Sequence, residues 1–148
     1  MSMSNAFETE ILELIFLNQA IANIGDAGGL QPSATAGSLY ISLHTANPDE
    51  AGNQGTSETV YTNYARVGVA RSGAGWTVTG NTATNAALIQ FPQCGATGAT
   101  ITHVGIGVSS VTGDSGLLLF SGALSSPLTV ANLIQPQFAA GDLDCVAD

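Results

Sequence analysis

The chain has 148 residues and a formal net charge of −9, because it contains 11 acidic side chains and only two basic ones. A chain with this excess of negative charge and no lysine cannot neutralise a run of phosphates, which excludes nucleic-acid and anionic-membrane binding. Charged residues make up 9% of the sequence, against about 25% in an average soluble domain. Most of the surface is therefore expected to be uncharged, as is typical of proteins that associate with copies of themselves or with a partner.

The length suits one domain spanning residues 1–148. Two cysteines, Cys94 and Cys145, are too few for a disulfide framework, and the sequence leaves open whether they pair or are buried separately. The N-terminal residues carry acids and lack the positive charge of a signal peptide, and the apolar stretch that follows is too short to span a bilayer. We therefore expect synthesis in a cytoplasm and no membrane partner.

One helix is predicted near the N-terminus, over residues 4–24. Asn5 followed by Glu8 has the form of an N-cap with its capping partner. Apolar side chains then recur at three- and four-residue steps, which indicates a helix with a broad apolar face. Gly25 and the Gly28-Gly29 pair are expected to end it. The apolar positions include Phe7, Ile11, Leu14, Ile15 and Ile21.

Residues 38–146 are predicted to form a β-rich body. Residues 39–44 alternate apolar and polar side chains, which predicts a strand with one buried face, and a long polar loop follows over residues 45–58. About eight or nine short strands with turn residues between them favour a mainly β fold, an antiparallel β-sandwich or barrel-like roll with one N-terminal helix. The other predicted strands cover residues 64–71, 76–79, 87–91, 103–108 and 117–124, and more weakly 128–130, 137–139 and 143–146.

The string Gly113-Asp114-Ser115-Gly116 matches the sequence around the nucleophile of chymotrypsin-like proteases, and His44 and Asp49 precede it in a permitted order. The chain is too short for the two barrels of such an enzyme, and these four residues also suit a hairpin turn. We therefore predict a turn here, and no catalytic residues anywhere in the chain.

The only two histidines, His44 and His103, both fall on strand faces opposite the apolar alternation. Two histidines with a carboxylate could bind a metal ion, but the spacing of a metal site is not present. Asp49, Glu50 and Glu58 lie in the polar loop without the alternation of oxygen ligands that calcium needs, so a solvated loop is expected. We predict no metal and no cofactor. A structural role is favoured for both histidines, with metal binding or pH sensing as the alternative.

Arg66 and Arg71 are the only cations, and strand alternation places them on opposite faces. Arginine tolerates removal from water best when it is paired bidentately with a carboxylate. We therefore predict a buried or interfacial salt bridge for at least one of them, with Arg66 the better candidate.

Short motifs separated by turn residues also follow one another in a definite order along the chain. They run Leu43-His44-Thr45, Asn47-Pro48 with Glu50 and Gly52, Tyr64-Ala65-Arg66-Val67, Phe91-Pro92, Thr102-His103-Val104-Gly105-Ile106 and Phe138-Ala139-Ala140-Gly141-Asp142-Leu143. This series resembles a family of small virion proteins of tailed bacteriophages, whose members are labelled as tail-fibre-like proteins or as capsid decoration (cement) proteins. The resemblance covers nearly the whole chain and departs from the family pattern at residues 130–136 and in the acidic tail.

The resemblance implies a non-enzymatic structural protein of the virion, made in the host cytoplasm. The leading hypothesis is a homotrimeric decoration protein that binds the major capsid protein or other virion proteins on the outer surface of the head. A tail-fibre, tail-tip or baseplate subunit is the alternative, and a host-glycan-binding module is a third hypothesis. The resemblance also implies that His44 and His103 form a hydrogen-bonded pair that orders adjacent strands.

The predicted contact elements are the N-terminal helix and the polar loop over residues 45–58. The candidate interface residues are apolar or aromatic positions with one arginine among them: Phe7, Ile11, Ile15, Tyr61, Tyr64, Arg66 and Trp76.

Overall fold

A computed structural model of the chain describes residues 2–147. In chain order its elements are the helix α1 (Asn5–Leu12), a π-helical turn (Glu13–Leu17), and the strands β1 (Ser38–His44), β2 (Val67–Ala70), β3 (Trp76–Thr79), β4 (Thr82–Asn85), β5 (Ile89–Gln90), β6 (Ala99–Gly107), β7 (Leu118–Val130), β8 (Gln137–Phe138) and β9 (Asp144–Val146). No helix in the described part of the chain is long and apolar enough to cross a membrane.

The nine strands form three sheets. One has four strands in the order β2-β1-β6-β7, one has three in the order β3-β4-β9, and β5 pairs with β8. The pairings β1–β6, β6–β7, β3–β4 and β4–β9 are all antiparallel. The prediction of a mainly β fold with antiparallel strands and one helical segment is confirmed, and among residues 2–147 the sheets stay open and do not close into a barrel.

The chain divides into two compact units. The first contains the described residues up to Ser38, Ala70–Leu88 and the described residues from Phe138 onward, and the second contains Leu39–Val69 and Ile89–Gln137. The first unit therefore holds the helix and the three-stranded sheet, and the second holds most of the four-stranded sheet. The prediction of a single domain stays a prediction.

The N-terminal helix is shorter than the predicted 4–24. Its N-cap is Ser4, whose hydroxyl accepts a hydrogen bond from Phe7 N, so the prediction of Asn5 as the cap was wrong by one residue. The helical segment ends at Leu17 because Asn18 adopts a left-handed conformation, with φ 56°. The amide of Asn18 then exchanges two hydrogen bonds of 2.9 Å with the backbone of Ser33, which holds the chain in the new direction.

The core of the first unit forms where the π-helical turn meets β3. Phe16 and Trp76 are both buried, and their rings pack edge to face with centroids 4.6 Å apart. Cys145 in β9 is also buried, and burial raises the pKa of its thiol to about 12. Both cysteines are free thiols, which answers the question that the sequence left open in favour of separate burial.

Arg71 links the helical segment to the chain that follows it within the first unit. Its guanidinium donates hydrogen bonds to the carbonyls of Leu14 and Ile15 and to that of Ala36. The carbonyls at the end of a helical segment have no partner within it, so a cation placed there satisfies them and complements the helix dipole.

The second unit differs from the prediction in its first strand. Leu39, Ile41 and Leu43 are buried as expected, but Ser42 and His44 are fully buried as well, so β1 does not have one buried face only. Alternation identifies a strand, yet it cannot show that the polar face will be covered too. The polar loop over residues 45–58 covers this second face of β1.

Several other strands differ from their predictions, and β6, for example, begins at Ala99, four residues before its predicted start. β7 is one strand of 13 residues, where two separate strands over 117–124 and 128–130 were predicted. β4 was not predicted, because Thr82, Ala83 and Thr84 lack the large apolar side chains that mark a strand. β2 begins at Val67, three residues after the predicted start, and Arg66 lies just outside it.

The end of the helix supplies a first test. We expect Asn18→Ala to cost about 2 kcal/mol, because it removes two hydrogen bonds and places an alanine in the left-handed region. Asn18→Gly removes the same hydrogen bonds but relieves the backbone, so it should cost only about 1 kcal/mol. Urea unfolding of both variants measures the difference, and equal losses would contradict the left-handed helix end.

Candidate functional site

A buried ion pair lies at the centre of the second unit. Arg66 Nε donates to Glu58 Oε1 at 2.7 Å and Arg66 Nη2 donates to Glu58 Oε2 at 2.8 Å. The two side chains are 0% and 3% exposed. This two-point geometry matches the planar guanidinium to the carboxylate. The predicted buried salt bridge of Arg66 is thereby confirmed, whereas the expectation that Glu58 belongs to a solvated loop was wrong.

Both partners of the ion pair hold backbone from distant parts of the second unit. Arg66 donates two more hydrogen bonds, from Nη1 to the carbonyl of Ser109 at 3.0 Å and from Nη2 to that of Asp114 at 2.8 Å. Glu58 accepts two more, from the Tyr64 hydroxyl at 2.8 Å and from Gly113 N at 2.7 Å. The pair therefore ties the 45–58 loop to the turn that connects β6 with β7.

The pKa values of Arg66 and Tyr64 both lie above their ordinary values in this cluster. Burial acts to lower the pKa of Arg66, but the hydrogen-bonded carboxylate of Glu58 outweighs it, and the pKa lies above its ordinary value. Burial raises the pKa of the Tyr64 hydroxyl strongly, with a further contribution from the negative charge of Glu58. Arg66 stays charged and Tyr64 stays neutral under ordinary conditions, which is the protonation state that the hydrogen bonds require.

The 45–58 loop is fixed to the sheet by a second buried polar side chain, Gln54. Its amide nitrogen donates to the carbonyl of Tyr40 at 3.1 Å, and its amide oxygen accepts from Ser109 N at 2.8 Å. Gly107 leaves room for it, because a Cβ there would lie 2.2 Å from Gln54 Cδ. The sequence showed the glycine spacing in β6 but not the side chain that needs the space.

His44 lies beside this cluster, with both ring nitrogens in hydrogen bonds. Nδ1 lies 2.9 Å from the carbonyl of Thr56, and Nε2 lies 2.9 Å from Ser42 Oγ. A carbonyl can only accept, so Nδ1 carries the proton and the Ser42 hydroxyl donates to Nε2. Burial lowers the pKa of His44, with the carbonyl of Thr56 and the charge of Glu58 acting against it. The neutral ring therefore serves as a structural link between β1 and the 45–58 loop.

His44 and His103 are direct neighbours in the pairing of β1 with β6. Each nevertheless has another hydrogen-bond partner, since His103 Nδ1 lies 2.9 Å from the Thr102 hydroxyl. The resemblance placed the two histidines correctly on adjacent strands, but the hydrogen bonds found for their rings go to other residues. No group of three or more His, Cys, Asp or Glu side chains within residues 2–147 is arranged to hold a metal ion.

The Gly113-Asp114-Ser115-Gly116 string lies in the connection that turns the chain from β6 to β7, as predicted, and the hydrogen-bonded turn itself covers residues 111–114. Gly113 has φ 78°, which favours glycine, and Asp114 N donates to the carbonyl of Val111 at 3.2 Å. The Asp114 carboxylate accepts a hydrogen bond from the Ser109 hydroxyl at 2.7 Å. His44, the histidine of the rejected protease hypothesis, contacts Ser42 and Thr56 instead.

The structure places the candidate interface residues in very different environments. Arg66, Tyr61 and Trp76 are buried, with Tyr61 donating its hydroxyl to the carbonyl of Pro92 at 2.8 Å. Ile11, Ile15 and Tyr64 are half-buried, and Phe7 is exposed. The proposal that these residues form an interface stays a prediction. Of the 45–58 loop, Asp49 and Glu50 are exposed, as expected for a solvated loop.

An open groove lies on the surface of the second unit. It has a volume of about 800 Å³, and its lining comes from two segments, residues 47–52 of the loop and residues 118–121 of β7. The loop contributes Asp49 and Glu50, and β7 contributes Leu118 and Leu119 with their neighbours. This groove was not predicted, because its two sides are about seventy residues apart in the sequence and only folding brings them together.

Comparison with known families identifies the chain. The model of a family described as Podophage GP4 fiber I protein gp80 matches residues 2–146. The chain belongs to this family. It is therefore a structural protein of the phage virion, and the resemblance to small tailed-phage virion proteins is confirmed. A search of curated proteins finds no match.

The ion pair predicts a large loss of stability on removal of one partner. Glu58→Ala or Arg66→Ala should each cost about 3–5 kcal/mol, because the remaining buried charge has no counter-charge. The exposed Glu50→Ala is the matched control and should change the free energy of unfolding by less than about 0.5 kcal/mol. Urea titration measures all three. Losses below about 1 kcal/mol for both buried partners would contradict the buried network.

Buried His44 predicts a pH-dependent stability. Its folded-state pKa lies below the ordinary 6.5, so the unfolded chain binds this proton more readily than the folded one. The stabilisation is complete above pH ~6.5 and is lost as the pH falls from there towards the folded-state pKa. We expect the melting temperature to fall between pH 7.5 and 5.5.

The two histidines provide the control for this effect. His44→Asn should be less stable than the parent at pH 7.5 but should lose most of the pH slope in this range. His103→Asn should keep the slope. A slope that survives His44→Asn unchanged would show that other groups cause it.

Proposed function

We propose that this protein is a non-enzymatic structural subunit of a phage fibre. The observation that carries the proposal is the family match over residues 2–146, to a family described as a fiber protein. The match covers both compact units, so the fibre role is proposed for the whole chain and not for one part of it.

The environment of the reactive side chains supports a role without catalysis. A catalytic acid, base or nucleophile must reach its substrate within hydrogen-bond distance. Ser42 and His44 are 0% exposed, and Glu58 accepts four hydrogen bonds from its own chain. These side chains hold loops and strands together, which is a structural role.

The surface supports assembly as the activity. The chain carries few charges for its size, and apolar side chains remain exposed in the described residues, among them Val60, Val111, Leu117 and Leu133. We propose that copies of the chain associate as a homotrimer and contact other virion proteins through such surfaces. The glycan-binding hypothesis has less support, because Trp76 and Tyr61 are buried and a sugar platform needs exposed aromatic rings.

Decoration of the head is the second candidate. The low charge of the chain suits the many equivalent contacts that a decoration protein makes with a capsid shell, and this was the leading hypothesis from the sequence. Fibre and decoration protein share the same chemistry of contact. They differ in copy number and in position on the particle.

The copy number in purified virions distinguishes the two candidates. Mass spectrometry with isotope-labelled standards would measure this protein against the major capsid protein of the same particles. We expect tens of copies or fewer for a fibre subunit, with gold-labelled antibodies located at the fibres. A copy number close to that of the major capsid protein would favour decoration. Absence from purified particles would overturn both.

A further inference from the structure

The groove of the second unit has one rigid, acidic side. Asn47 Oδ1 accepts from Asp49 N at 3.1 Å, Gly52 N donates to the carbonyl of Asp49 at 3.1 Å, and Asp49 has φ 59°. Gly52 is required at its position, because a Cβ there would lie 1.9 Å from the carbonyl oxygen of Pro48. These short-range constraints fix the backbone of residues 47–52 and hold the exposed carboxylates of Asp49 and Glu50 beside the groove.

The other side of the groove is a sheet edge. β7 is the last strand of the four-stranded sheet, and among residues 2–147 no further strand pairs with its outer edge. On its inner side, Leu118 pairs with Gly107 and Ser121 pairs with Gly105, while a bulge at Leu119 interrupts the ladder. An open edge presents backbone N–H and C=O groups that can accept an added strand.

The half of β7 that lines the groove has little of the usual protection of an edge. Proteins block exposed edges with charged side chains, prolines and bulges. The far half of β7 has such devices, namely Pro127 and a register shift opposite residues 101–103. Residues 118–123 contain no charged residue and no proline, and their one irregularity is the bulge at Leu119. The bulge at Leu119 is therefore the one protective device found in the part of the edge beside the carboxylates.

The charge of the chain decides what can fill this groove. Two carboxylates beside an uncharged strand edge favour a segment that carries lysine or arginine. A second copy of this chain cannot supply one, because it has no lysine, its Arg66 side chain is 0% exposed, and its Arg71 is bonded to the carbonyls of Leu14 and Ile15. The complementary charge has to come from a different protein.

We propose that the groove between residues 47–52 and residues 118–121 binds an extended, basic segment of another protein, which adds as a strand to β7. Four residues of β7 span about 13 Å, so a segment of four to six residues would fill the edge. Backbone hydrogen bonds to β7 provide affinity, and Lys or Arg side chains facing Asp49 and Glu50 provide selectivity. That the partner is another virion protein rests on the proposed function. The expectation of a basic, extended segment rests on the groove itself and does not depend on the proposed function.

The proposal can be tested with labelled synthetic peptides and the full-length protein. The probe is an eight-residue peptide of alternating lysine and valine, and its matched control alternates glutamate and valine. Fluorescence anisotropy should show binding of the lysine peptide only, weakening as salt is raised. A lysine peptide methylated at alternate backbone nitrogens should bind at least about tenfold more weakly, because it cannot complete the strand pairing.

Variants of the protein locate the site. Asp49→Asn with Glu50→Gln should weaken the lysine peptide by about three- to tenfold, since two exposed charge pairs are lost. Asparagine keeps the left-handed backbone at position 49. Glu10→Gln with Glu13→Gln removes two acidic charges from the helical segment and is the matched control, which should bind as the parent does. Hydrogen exchange of the complex should be slowed in residues 118–121.

Three results would overturn the proposal. The first is equal binding of lysine and glutamate peptides, and the second is lysine-peptide binding that ignores the Asp49 and Glu50 substitutions. The third is slowed exchange in residues 118–121 caused by self-association without peptide, which would assign the groove to a second copy. None of these measurements depends on the virion. Failure of the fibre role would appear separately, as absence from purified particles.

Discussion

The buried ion pair between Glu58 and Arg66 is the interaction on which the second unit depends. Removing two charges from water is costly, and the two-point geometry offsets that cost together with four further hydrogen bonds, from Tyr64 and Gly113 to Glu58 and from Arg66 to the carbonyls of Ser109 and Asp114. Because its bonds join Glu58 and the segment containing Tyr64 and Arg66 to residues 109–114, the pair sets the position of the 45–58 loop relative to the turn between β6 and β7. Isolated buried pairs often add little stability, but one that joins several segments selects a single arrangement of them.

The glycines of β6 make this arrangement possible. Gly105 leaves space for the His44 ring and the Ser42 hydroxyl, and Gly107 leaves space for Gln54. A side chain at either position would displace a fully buried polar group and leave its hydrogen-bond partners unsatisfied. The buried polar side chains Ser42, His44 and Gln54, the 45–58 loop and the sheet therefore pack together in a single arrangement. These buried side chains also help to fix one side of the groove, because residues 47–52 belong to the 45–58 loop that they hold against the sheet.

These features agree with the proposed role of the protein as a structural subunit. Ser42, His44, Glu58 and Arg66 are buried and hydrogen-bonded within the second unit, and the surface carries few charges for its size. Membership of the fiber I protein family gives this chemistry its setting in the virion. The low charge of the sequence has a structural counterpart, because Arg66 pairs with the buried Glu58 and Arg71 bonds to backbone carbonyls, so neither arginine pairs with the exposed carboxylates of Asp49 and Glu50.

The sequence by itself determined the mainly β class, the turn between β6 and β7, the burial of Arg66 in a salt bridge and the family, because alternation, turn residues and the scarcity of cations are local or compositional properties. It did not determine where the helix ends, since Asn18 becomes left-handed only through its bonds to Ser33. Nor did it show that Glu58 is the partner of Arg66, or that residues 47–52 meet residues 118–121 in a groove. The two sides of the groove are about seventy residues apart, and the pairs Asn18–Ser33 and Glu58–Arg66, although closer in sequence, form only when the intervening chain folds back, so only the tertiary structure could decide these features.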